Sequence, residues 1–69
     1  MKFLVSIPNK RDRIILATCI LDALRVAVPN WARISCVHDQ TPQYCIFDFD
    51  VPLPKGRILT RRATVERVE

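Results

Sequence analysis

Two short segments, residues 32–38 and 44–51, alternate between apolar and polar side chains, and Asp39, Gln40, Thr41, Pro42 and Gln43 stand between them as a turn. No other feature constrains the fold as much. Along a strand, neighbouring side chains point to opposite faces. In the second segment Cys45, Phe47, Phe49 and Val51 share one face, and Tyr44, Ile46, Asp48 and Asp50 share the other. Two phenylalanines against two aspartates assign the core side. In the first segment Ala32, Ile34 and Cys36 share a face, opposite Trp31, Arg33, Ser35 and Val37. The pair reads as a β-hairpin.

A one-residue slip would turn every side chain over, so the register must keep both core sets together. The shortest comfortable loop places His38 opposite Gln43. Cys36 then faces Cys45, Ile34 faces Phe47, and Ala32 faces Phe49. On the other face Arg33 meets Asp48, a cross-strand charge pair contributing about 0.2–1 kcal/mol.

Residues 2–7 read as a first strand, with Phe3, Val5 and Ile7 on one face. Pro8 and Asn9 end it, and Asn9 suits a helix N-cap. A helix is predicted over residues 10–28 and stopped by Pro29. Its core stripe is Ala17, Ile20, Leu21, Leu24, Ala27 and Val28, with Arg11, Thr18, Asp22 and Arg25 opposite. Ile15, Cys19 and Val26 do not fit that division. This apolar surplus predicts a second contact, either a dimer or a covering loop. Pro52 and Pro54 interrupt the chain after the hairpin. Thr60, Thr64 and the valines then favour extended structure. Residues 52–69 read as an edge strand or a partner-ordered tail. The expected fold is α+β: one helix packed on a small, mostly antiparallel sheet of three to four strands, in the order β-α-β-β with a possible last strand. Residues 44–51 are placed between the other strands.

Sixty-nine residues form one domain, 1–69. A chain of this length buries only about 60% of its unfolded surface, so oligomerisation or a partner is a usual supplement. Residues 14–28 are too short to span a bilayer, and Asp22 and Arg25 interrupt them. Lys10, Arg11 and Arg13 precede an apolar run without a small-x-small cleavage site, which argues against a signal peptide. Three cysteines, Cys19, Cys36 and Cys45, together with that reading, favour a reducing cytoplasm. Cys36 and Cys45 approach across the expected hairpin, as buried thiols or as a disulfide.

Little here points to catalysis. The single histidine, His38, sits at the hairpin end, and the single glycine argues against a phosphate loop. No CxxC spacing supports zinc. No catalytic residue, metal or cofactor is expected. Binding is the better use of the surface. If the helix covers one sheet face, the other exposes Leu4, Trp31, Val37, Tyr44 and Ile46, with Arg33, Asp48 and Asp50 among them. Trp, Tyr and Arg are the residue types that most often dominate binding energy. The expected partner is another protein, with a homodimer as a further possibility and no membrane. A small non-catalytic binder of this kind often inhibits or modulates its partner by occupying the partner's surface. The alternative is single-stranded nucleic acid, using the sheet aromatics to stack bases and Arg57, Arg61, Arg62 and Arg67 to track phosphates. Charge weighs against it at the platform. Residues 35–54 hold three aspartates and no Lys or Arg, whereas residues 55–69 hold five Lys or Arg and two glutamates.

Overall fold

The computed structural model describes residues 1–68; Glu69, the last residue of the expected tail, lies outside the described residues. Five strands and one helix follow in order: β1 (Lys2–Ser6), β2 (Arg13–Leu16), α1 (Ile20–Ala27), β3 (Arg33–Gln40), β4 (Tyr44–Pro52) and β5 (Ile58–Arg67), with a 3₁₀ turn at Pro54–Gly56 before β5. All neighbours are antiparallel, and the sheet order is β2-β1-β5-β4-β3. The α+β class stands, with more strands than the three or four expected.

The predicted helix over residues 10–28 is corrected to a strand followed by a shorter helix. Asn9 is not an N-cap. It takes φ 65°, a left-handed conformation that Asn tolerates better than most residues. The amide of Lys10 closes this turn by donating to the Ile7 carbonyl at 3.1 Å. The chain then returns beside β1, pairing Phe3 with Ile15. Ile15 is buried, while Ile14 and Leu16 face outward. Alternation therefore accounts for the apolar residue that no single helix face could take. Cys19 is the extended N-cap of helix α1, and beside it Asp22 accepts from the Thr18 amide at 3.2 Å and from its hydroxyl at 3.4 Å. At the other end Arg13 donates to the carbonyls of Ala27 at 3.0 Å and Val26 at 3.3 Å. A cation there suits both the orphan carbonyls and the helix dipole. Leu21, expected in the core stripe, is exposed; Ala23 is buried in its place, with Ile20, Leu24 and Ala27.

The segment expected as an edge strand is the central strand. Strand β5 lies between β1 and β4, pairing Val5 with Val65 and Phe47 with Ala63. Residues 44–51 therefore do not adjoin the first strand. The return from β4 is tight because Lys55 and Gly56 both take positive φ, 65° and 72°. Glycine is suited to the second position, having no Cβ to clash.

The expected hairpin register is also corrected. β3 pairs with β4 as Arg33–Asp50 and Ile34–Phe49, then as Cys36–Asp48 and Val37–Phe47, then as Asp39–Ile46 and Gln40–Cys45. Ser35 and His38 are the extra residues of two β-bulges, each advancing the pairing by one. Cys36 and Cys45 consequently lie on opposite faces, both as free thiols. The core forms between α1 and the inner sheet face, around Phe3, Val5, Phe47, Val65 and Cys45.

Candidate functional site: the open sheet face

Because α1 covers one face, the other is left open. Register places Leu4 of β1, Ile14 and Leu16 of β2, Tyr44 and Ile46 of β4, and Ile58 of β5 on that side. Leu16 is 73% exposed and Ile58 65%. The apolar groups surround a strip of polar side chains, most of them held by a neighbour across the sheet.

Asp48 is the centre of that strip. Its Oδ1 accepts from Arg62 Nε at 3.0 Å, and its Oδ2 lies 2.7 Å from His38 Nε2. Arg62 NH2 is also 3.0 Å from His38 Nε2. That nitrogen serves one partner at a time: protonated, it donates to Asp48; unprotonated, it accepts from Arg62. The hydrogen bonds from His38 and Arg62 hold the Asp48 carboxyl below its ordinary range. Thr60 donates to Asp50 Oδ1 at 2.8 Å. Tyr44 donates its hydroxyl to Asp39 Oδ2 at 2.6 Å, and this bond to a carboxylate raises the phenol above its usual range. The turn beneath is fixed by Thr41, whose hydroxyl oxygen accepts from the amides of Gln43 and Tyr44, both at 3.1 Å.

Of the residues expected at the site, Arg33, Tyr44, Ile46, Asp48, Asp50 and Arg62 share this face. Arg33 is registered with Asp50 at the end of β3, not with Asp48. Asp48 instead takes His38, because the second bulge swings that imidazole over β4. Val37 is corrected to the inner side, opposite Phe47. Trp31 is corrected as well. It precedes β3 in a turn closed by the Ala32 amide on the Pro29 carbonyl at 3.0 Å. Strand parity does not extend through that turn. Trp31 and Arg61 instead line one groove on the helix side, of about 440 Å³. Arg57 joins neither group; it flanks the 3₁₀ turn, where its carbonyl accepts from the Leu53 amide at 2.8 Å.

Sequence reasoning missed Ile14, Leu16, Ile58, Thr60 and His38 as members of this face. Residues 13–16 gave no signal for the first two, because Ile14, Ile15 and Leu16 are apolar in succession. Among the described residues no group of three or more His, Cys, Asp and Glu is disposed to hold a metal ion, and no helix is long and apolar enough to cross a membrane. No family model, no curated protein and no solved structure matches the chain.

Proposed function

We propose that this protein is a non-enzymatic, cytoplasmic protein-binding module that modulates or inhibits a partner by covering part of the partner's surface with its open sheet face. The observation that carries this reading is the face itself. It is an uncovered antiparallel surface on which apolar side chains flank polar groups already tied to one another. Exposed apolar groups gathered on one face in this way mark interaction sites in small proteins. An interface core needs such desolvatable groups and few unpaired charges.

Two features favour a protein over single-stranded nucleic acid at this face. Asp39, Asp48, Asp50 and Glu66 all lie on it, which disfavours a phosphate backbone. Its two aromatic rings, Tyr44 and His38, are each tied to an aspartate, Asp39 and Asp48, so stacked bases would meet a carboxylate beside either platform. The bulges of β3 also bear on geometry. A twice-bulged edge resists strand-to-strand pairing with another chain, so the broad face, not that edge, is the contact surface.

The test is capture of a partner from native lysate by wild-type protein and by Ile46→Asp and Tyr44→Ala, with folding checked by circular dichroism. Both variants should stay folded and lose the partner at least tenfold, the size expected for central interface residues. Tight, salt-sensitive binding of single-stranded RNA or DNA at physiological salt, unaffected by Ile46→Asp, would overturn the reading.

A further inference from the structure

Trp31 lines a groove on the helix side of the sheet. Its walls are apolar: Phe49 and Val51 of β4, Leu59 of β5, Val5 of β1 and the Trp31 ring. Its charged lining is Lys10, Arg11 and Arg13 from the stretch that leads into β2, and Arg61 from β5. No Asp or Glu lines it. Four cations without a carboxylate stand out in a chain that carries seven acids against eleven Lys and Arg.

Arg61 sharpens the point by contrast with its neighbour. Arg62 is well exposed yet bound to Asp48 at 3.0 Å. Arg61 is half-buried on the core side opposite Phe49. Among the described residues its side chain has neither a hydrogen-bond acceptor nor an ion-pair partner, and the same holds for Lys10 and Arg11. A partly desolvated cation is costly unless a carboxylate or another acceptor meets it. Arg13 is held in place by the helix carbonyls it caps, so its charge is fixed beside the groove.

We propose that the groove takes an acidic peptide segment of the partner protein: one or two apolar side chains seated between Trp31 and Leu59, with flanking carboxylates on Arg61, Arg11 and Lys10. The proposal rests on the protein-binding reading and names the chemistry of the partner. The volume, about 440 Å³, lies within the range of pockets that bury small ligands and suits side chains rather than a folded surface. A nucleobase fits poorly, because Asn9 is the one neutral polar side chain in the lining and the polar base edges would meet apolar walls. A fatty acid carries a single carboxylate, whereas the cations come from two separate elements. The groove extends to the end of the sheet that carries the Pro54–Gly56 turn. Val51 and Leu59 line it, and their neighbours Pro52 and Ile58 are paired at the end of the sheet beside the Pro54–Gly56 turn.

Trp31 is the only tryptophan, so its fluorescence reports on this groove alone. The probe is an acetylated, amidated octapeptide with a leucine–phenylalanine pair between aspartates and glutamates. Titration should give a saturable blue shift and protection from acrylamide. Arg61→Gln and Arg11→Gln should each weaken binding about tenfold, or about 1.4 kcal/mol. Ile46→Asp on the open face should leave the peptide affinity within about twofold. Arg11 is exposed, so its variant keeps the test valid if Arg61→Gln disturbs the fold. No saturable change at millimolar peptide would overturn the proposal, as would unchanged affinity in both arginine variants. Tighter binding of oligothymidylate or decanoate than of the peptide would overturn it too. If the peptide fails while Ile46→Asp still abolishes partner capture, the groove inference falls and the protein-binding reading survives.

Discussion

Truncating Phe47 and truncating its neighbour Ile46 should have very different consequences. Phe47 is fully buried, opposite Ala63 of β5 and with the Phe49 ring centroid 6.2 Å away. Phe47→Ala removes a ring beside the small Ala63 side chain, which leaves little that can collapse into the space. Core Phe→Ala changes cost about 3–5 kcal/mol. A chain of this length is stable by roughly 3–10 kcal/mol in all. With a urea dependence near 1 kcal/mol per molar, the unfolding midpoint should fall by about 3 M, or the folded baseline should vanish. Ile46 is half-buried on the open face opposite Thr64. Ile46→Ala should cost about 1 kcal/mol or less. Urea titrations followed by far-UV circular dichroism, at two protein concentrations, measure both. Equal losses would refute the assignment of faces. A loss for Ile46→Ala that shrinks on dilution would show the open face covered by a second copy.

Three further outcomes follow from particular contacts. Cys45 is fully buried, and burial pushes its thiol up with help from the Asp39 charge, while Cys19 is lowered by the Asp22 amide at the helix start. A thiol reagent at mildly alkaline pH should therefore modify two cysteines in the folded protein, Cys19 readily, and Cys45 only after denaturant is added. Arg13→Ala removes the cation from the helix C-terminus and should cost about 1 kcal/mol in thermal unfolding, with loss of helical signal preceding the sheet. Because Asp48 is depressed in the folded state, the unfolded chain binds its proton more readily in acid. Its stabilisation is therefore complete above the ordinary carboxylate range and disappears as pH falls toward the folded value. Asp48→Asn should flatten that part of the stability–pH curve, read from urea midpoints between pH 2 and pH 7.

The legible parts of the fold were those where one strong period ran unbroken. Strand β4 alternates Cys45, Phe47 and Phe49 against Tyr44, Ile46 and Asp48, so its faces, and with them much of the site, could be read directly. The register of β3 could not, because its bulges at Ser35 and His38 carry no glycine or proline to announce them. Ile14, Ile15 and Leu16 merged with the apolar run of α1 in a helical reading, and the turn at Asn9 that separates them rests on a conformation that Asn permits without demanding. In β5 the alternation of Leu59, Ala63 and Val65 was masked by Arg61, a cation at a core-side position. That same residue marks the groove. Trp31 was misplaced because strand parity was carried into a turn, where backbone geometry resets the direction of each side chain.

Contact between the open sheet face and another protein is tested most directly by crosslinking. A photo-crosslinking residue placed at Thr64, exposed at the middle of that face, compares directly with one at Leu21, exposed on the helix. Irradiation in the native cell should give one discrete heavier protein species from position 64, lost with Ile46→Asp, and none from position 21. Crosslinks to nucleic acid at position 64, or identical patterns at both positions, would contradict the account.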